Sequence, residues 1–173
     1  MARVKIVSYN VRGLNVAAKR HQVYRELKQA TCSIAFLQET HLTHTTSVKL
    51  TSPNSPQWYY SLSDTNKAKG VAIGFCRNAP FRLSEMLADD HGRFLFLRGF
   101  IGNTQCTLAN IYCPNHNQPT FLSHILTKLS HFAKGLTILA GDINMPLDPS
   151  IDTSQNRSNI SFKRLKFVKK TAS

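Results

Sequence analysis

Four short polar clusters carry side chains able to do chemistry on a phosphate. Asn10 closes the run VKIVSYN, Glu39 follows IAFLQ, Tyr112 and Asn115 follow TLANI, and Asp142 and Asn144 follow TILAG. Glu39 and Asp142 are hard oxygen donors, the type that holds Mg2+ or Mn2+ or serves as a base. Asn10, Asn115 and Asn144 are neutral amides that donate to phosphate oxygens, and Tyr112 adds a phenol. Each cluster also has a plainer reading. A Glu after a strand is often a cap, Gly141-Asp142 suits an ordinary turn, Asn10 can satisfy its own backbone, and Tyr112 can be a core aromatic with its hydroxyl at the edge. Recurrence at the ends of four apolar runs favours one shared site, because strand ends are rigid and the loops beyond them are free.

The elements that must position these groups are legible as short runs. VKIVSYNV is apolar and β-branched and predicts a buried strand over about residues 3–9, followed by the polar loop NVRGLN. KRHQVYRELKQA predicts a modest amphipathic helix over 19–30 with Val23 and Leu27 inward. SIAFLQ is a second buried strand, so the chain opens in a βαβ-like manner. WYYSL, GVAIGFC, PFRLSEML, RFLFLRGFIG and TQCTLANIYC then succeed one another without a helix and predict a β-meander. Phe121, Ile125, Leu129 and Phe132, widened by Leu122 and Leu126, predict a second helix over 118–133. GLTILAGDIN reads as a last buried strand. After about 146 the chain is turn-rich, with Pro146 and Pro149, and ISFKRLKFVKK has spacing for the start of another helix through Ile160, Leu165, Phe167 and Val168.

Composition narrows the class. At 173 residues, 42% of them hydrophobic, the chain suits one globular domain, which we place at 1–150, followed by a basic, turn-rich segment 151–173 that is either a tail or the start of further structure. A net charge of +13 biases it toward polyanions. The residues Arg157, Lys163, Arg164, Lys166, Lys169 and Lys170 are either a solvated end or a phosphate-contacting arm. No apolar run approaches the roughly 18 residues needed to span a bilayer, so no membrane partner is expected. The N-terminus lacks the pattern of a secretory signal. Cys32, Cys76, Cys106 and Cys113 have no C-x2-C spacing, and His41 and His44 have no second pair to complete a zinc set. Reduced thiols in a nuclear or cytoplasmic, non-secreted protein are the expectation.

Taken together, SYNVRGLN (8–15), LQETHL (37–42), NIYCPN (110–115) and AGDIN (140–144) resemble the motifs of the endonuclease/exonuclease/phosphatase superfamily. The form Q-E-T-H and the segment KAKGVAIGF are similar to the apurinic-type endonuclease domain of LINE-type non-LTR retrotransposons. The resemblance runs from residue 3 to about 148. It implies a four-layer α/β sandwich, two packed and mostly antiparallel sheets with helices outside. It implies Glu39 as a ligand of Mg2+ or Mn2+, with Asn10 helping to set the metal and phosphate site. Tyr112 would lie beside the scissile phosphate and Asn115 would contact phosphate. Asp142 would orient or deprotonate the attacking water, and Asn144 would stabilise charge on the phosphate. His41 matches the branch motif as a substrate-side, second-layer or structural group. The reaction implied is phosphodiester hydrolysis in DNA, nicking to a 3′-hydroxyl and a 5′-phosphate, with a reverse transcriptase domain as a partner in a full-length element.

One family motif is missing. Ser-Asp-His does not occur among these residues, and His91, in D-D-H between middle strands, does not replace it. The expectation is therefore a C-terminally truncated domain with an incomplete sandwich, uncovered sheet edges and impaired catalysis. His116 and His124 are read as surface groups. Arg12, Lys19, Arg20, Lys67 and Lys69 flank the motif loops and are candidate contacts to the DNA backbone. Two other readings stand beside the endonuclease: a non-catalytic nucleic-acid-binding remnant, and a phosphoesterase of the same superfamily acting on inositol phosphates or lipids.

Overall fold

A computed structural model describes residues 4–45, 50–63 and 69–144. The first strand, β1 (Ile6–Asn10), leads through a loop into α1 (Ala17–Gln29) and back to β2 (Ile34–Gln38). The two strands pair in parallel, Ile6 with Ile34 and Asn10 with Gln38, which completes the expected βαβ unit. β3 (Gln57–Ser61) and β4 (Val71–Phe75) come next, and the sheet runs β1-β2-β4-β3. A second four-stranded sheet holds β5 (Phe81–Ala88), β6 (Phe94–Ile101), β7 (Thr104–Tyr112) and β8 (Leu136–Asp142) in that order. Between β7 and β8 runs α2 (Gln118–Phe132), and these strands are also parallel, Tyr112 opposite Asp142. All other strand pairs are antiparallel.

The layers result from which side chains each strand turns to each face. In β2 and β4 every residue is buried, as strands covered on both sides must be. Ile34, Phe36, Ile73 and Phe75 meet Leu95, Leu97 and Leu108 of the second sheet, while Ala35, Leu37 and Ala72 turn the other way to Val23 and Leu27 of α1. On the far side Phe96, Ala109 and Ile111 meet Ile125, Leu129 and Phe132 of α2. The order is α1, first sheet, second sheet, α2, the four-layer sandwich that the motifs imply. Each fully buried side chain of this size contributes roughly 1.5–3 kcal/mol relative to leaving it in water. Apolar side chains remain open at two sheet edges: Ile6 on β1 is 37% exposed and Leu136 on β8 is 42% exposed.

Three expectations need correction. The middle strands are not one meander: β3 and β4 close the first sheet, and only β5, β6 and β7 form a meander, in the second. The break falls at Cys76–Pro80, where the chain crosses between sheets. Local alternation marks strands but carries no information about which sheet receives them. Leu126 belongs by spacing to the apolar stripe of α2, yet it is 43% exposed, one position beyond the face that packs. α1 begins two residues earlier than its amphipathic pattern, with no side-chain cap at Val16. The basic stretch 156–173, the possible helix within it and Lys67 lie outside the described residues.

Candidate active site

The motif loops are zipped in pairs by main-chain hydrogen bonds beyond the strand ends, the first with the second and the third with the fourth. Val11 N–H donates to the Gln38 carbonyl at 2.9 Å, Gly13 to Glu39 at 2.7 Å and Leu14 to Thr40 at 2.8 Å. Thr40 donates to Gly70 at 3.0 Å and His41 to Lys69 at 2.8 Å, and Cys113 donates to Asp142 at 2.8 Å. The turns required are sharp. Arg12, Glu39, His41 and Asn144 all have positive φ, between 47° and 57°, a region that non-glycine residues occupy rarely and that clusters at functional sites. Gly13 is required where it stands: a Cβ there would lie 2.8 Å from His41 Nδ1.

This arrangement draws two acids from opposite sheets onto one amide. Asn10 Nδ2 donates to Glu39 Oε1 at 2.8 Å and to Asp142 Oδ2 at 2.8 Å. Asn10 Oδ1, the side-chain amide oxygen, accepts from the Arg12 N–H at 3.2 Å. Asp142 is fixed from its other side, its Oδ1 accepting from the Asn144 N–H at 3.0 Å. The Asn144 amide in turn donates to the Cys113 carbonyl at 2.6 Å. The Tyr112 hydroxyl is hydrogen-bonded to Glu39, and burial together with that carboxylate pushes its ionisation up to about 12, against the opposing pull of Arg93 and Asn144. The phenol therefore stays protonated, a donor, through neutral pH. His41 Nε2 lies 3.7 Å from Glu39 Oε2 and is buried without a hydrogen-bond partner among the described residues.

Asn10, Glu39, Tyr112, Asp142 and Asn144 are thus one connected group, with His41 at its margin. Asn115 is exposed on the loop after β7 and is not part of this hydrogen-bonded group. The basic candidates differ among themselves. Arg12 is exposed beside Asn10. Lys19 Nζ donates to the Arg12 carbonyl at 2.9 Å, and Arg20 donates to the Leu14 and Asn15 carbonyls at 2.8 and 2.9 Å. These two hold the loop that carries Asn10. Lys69 is half-buried across the same loop pair.

Three contributors carry no role in the resemblance, although Gln38 in LQETHL and Asn110 in NIYCPN stand inside its motifs. Asn110 and Gln38 are 0% and 1% exposed, and they pin the sheets together beneath the site. Gln38 Nε2 donates to Asn110 Oδ1 at 2.7 Å, and Asn110 Nδ2 donates to the Leu37 and Ala72 carbonyls, both at 2.9 Å. A polar residue in the middle of the apolar run TLANI is the available signal, since a buried amide must find partners. The third is Arg93, whose guanidinium lies 5.0 Å from the centre of the Tyr112 ring. No sequence pattern marks that pairing.

Residues 7–161 match the profile of the Endonuclease/Exonuclease/phosphatase family. The chain belongs to this family. Similar solved structures agree in fold. The D. rerio TDP2 solved with a single-strand DNA product is 20% identical, with 86% of this chain and 63% of that one covered and a TM-score of 0.64. The Xenopus laevis APE2 catalytic domain is 18% identical over 84% of this chain and 60% of that one, with a TM-score of 0.61. The endonuclease domain of TRAS1, a telomere-specific non-LTR retrotransposon, is 12% identical over 83% of this chain and 60% of that one, with a TM-score of 0.59. The chain spans less than two thirds of each of these structures. Nucleases of this endonuclease/exonuclease/phosphatase family generally use divalent metals, and a pair of converging carboxylates with neutral amides around it is a donor set that suits one.

Proposed function

We propose that this chain carries the acid pair and amide set of a divalent-metal-dependent DNA endonuclease of the non-LTR retrotransposon type. It would hydrolyse a phosphodiester to a 3′-hydroxyl and a 5′-phosphate, the former able to prime a reverse transcriptase. The observation that carries the reading is Asn10, one amide between the carboxylates of Glu39 and Asp142. Two acids facing one point repel unless a cation or donor lies between them, and hard oxygens select Mg2+ or Mn2+. Glu39 would hold the ion, with Asn10 Oδ1 beside it. When bound, it supplies Lewis-acid stabilisation of charge on the phosphate.

The remaining work falls to side chains already in place. Asp142 is oriented through both oxygens and has lone pairs left to accept a proton from an attacking water. Tyr112, protonated and bonded to Glu39, keeps that carboxylate aligned and offers its edge to substrate. Asn144 keeps Asp142 aimed through its main-chain N–H, and its side-chain amide would donate to a phosphate oxygen. Arg12 and Lys69, with the overall charge of +13, supply sequence-independent attraction to the backbone. Relatives support the substrate class, since one was solved with a DNA product and another is a retrotransposon endonuclease. Because Ser-Asp-His does not occur among these 173 residues, nicking by this chain is expected to be slow.

The test is relaxation of supercoiled plasmid with Mg2+ or Mn2+, with and without EDTA, then polymerase extension at the nick. Metal-dependent nicks that extend, and that vanish in Glu39→Ala and Asp142→Ala, support the reading. DNA binding with no nicking at high protein and Mn2+ would make the chain a non-catalytic binder. Phosphate release from inositol phosphates or lipid headgroups without nicking would move it to the other branch.

A further inference from the structure

At the end of the first sheet opposite the acid pair lies a cleft of about 280 Å³, lined by Lys28, Cys32, Ser55, Cys76 and Arg77 among others. Cys32 lies two residues before β2 begins and Cys76 directly after β4 ends. The antiparallel register pairs Ile34 with Phe75, and the Cys76 N–H donates to the Ser33 carbonyl at 2.9 Å. Cys32 and Cys76 thus come together at this end of the sheet and line the same cleft, with the two thiols within hydrogen-bonding reach of each other.

The pair is asymmetric. Cys32 is 4% exposed, whereas Cys76 is half-buried and opens on the cleft. The hydrogen bond from Cys32 lowers the Cys76 thiol below its ordinary range against the effect of burial, and the Ser55 hydroxyl, 3.2 Å from Cys76 Sγ, acts in the same direction. The same contact and burial push Cys32 upward. One sulfur is thus reachable from the cleft and the other lies behind it. Lys28 and Arg77 line the same cleft and add positive charge. Cys106 and Cys113 provide the contrast: both are buried, and burial raises both thiols.

We propose that Cys76 and Cys32 form a peroxide-reactive dithiol that closes to an intramolecular disulfide. In the first step the Cys76 thiolate attacks hydrogen peroxide, the O–O bond breaks, and Cys76 becomes a sulfenic acid as hydroxide leaves and takes up the proton that the Cys76 thiol released on ionising, giving the first water. In the second the Cys32 sulfur attacks the Cys76 sulfur. The S–S bond forms, the S–O bond breaks, and the departing hydroxide leaves with the Cys32 proton as water. Two thiols lose two electrons and peroxide is reduced to two waters. The site is distinct from the acid pair: Cys32 and Glu39 lie at opposite ends of β2, whose five residues span about 16 Å at the rise of a strand.

The experiment treats the whole chain with one equivalent of hydrogen peroxide and maps it by mass spectrometry without reduction. Expected are the loss of two hydrogens, a Cys32–Cys76 cross-linked peptide, and reversal by dithiothreitol. Iodoacetamide at neutral pH should label Cys76 at least about tenfold faster than Cys106 or Cys113. Cys32→Ala should stop at a sulfenic acid on Cys76, trapped by dimedone, and Cys76→Ser should give neither product. Should Cys32→Ala fail to fold, the wild-type map and the labelling rates decide alone. Oxidation confined to Cys106 or Cys113, a cross-link only between molecules, or equal labelling of all four thiols would overturn the proposal.

Discussion

The two βαβ units of this molecule are built alike and load their strands in opposite ways. In β1-α1-β2 the acid, Glu39, comes directly after the interior strand and the amide, Asn10, ends the edge strand. In β7-α2-β8 the acid, Asp142, ends the edge strand and the phenol, Tyr112, ends the interior one. Stacked face to face, the edge amide of one sheet meets the edge acid of the other, while Gln38 and Asn110 lock the interior strands beneath. Neither unit holds a site alone. The site is a property of the sandwich, and its geometry depends on the sheets keeping their separation and slip.

The sharpest way to break that comparison is to remove one acid at a time. Glu39→Ala and Asp142→Ala should each lower plasmid nicking by about 10²–10³-fold, with unchanged near-UV circular dichroism. A loss confined to one of them would mean that the units do not share a centre. Next in size, Ile125→Ala beneath α2 should cost about 3 kcal/mol by urea denaturation, a cavity in a fully apolar contact. Val23→Ala beneath the more polar α1 should cost less, and the reverse order would make α1 the better-packed unit.

Asn110→Leu tests the lock. It removes the donor to the Leu37 and Ala72 carbonyls, leaves Gln38 Nε2 only its longer bonds to Ser8 Oγ and the Phe36 carbonyl, and should destabilise by about 2 kcal/mol. Adding Gln38→Leu should cost less than the sum of the two changes, because the pair shares a bond. Tyr24→Phe on α1 should be the smallest effect, within about 0.5 kcal/mol at neutral pH, since the buried hydroxyl has no hydrogen-bond partner among the described residues. Its signature is alkaline. Burial, with the Tyr60 phenol nearby and against the pull of Arg20, pushes the Tyr24 ionisation from 10.0 to about 12 in the folded chain. The unfolded chain thus releases that proton first, stability falls as pH rises from 10 toward 12, and Tyr24→Phe should flatten part of the fall in thermal melts.

Much of the architecture is readable in the residues. The apolar runs mark all eight strands and both helices of the described residues to within a few positions; burial on both faces makes the runs continuous in β2 and β4, and the turn residues between runs mark the more exposed strands such as β5. The second-sheet assignment of β5, β6 and β7 is not readable, since a turn such as Cys76–Pro80 looks the same whether the chain stays in its sheet or leaves it. Leu126 shows a similar limit: helical spacing places a residue within about one position of a face, and packing decides the rest.

The motifs determined which chemical groups this protein owns: two acids, a phenol and a set of amides, each at the end of an apolar run. They also determined its family. Only the tertiary structure decided that Asn10 bridges the acids, that Asn115 stands apart, that Lys19 and Arg20 grip a loop, and that Arg93 covers Tyr112. Sequence order fixes which residue comes next along the chain. Contacts between opposite sheets arise instead from layer stacking, in which residues more than a hundred positions apart become neighbours.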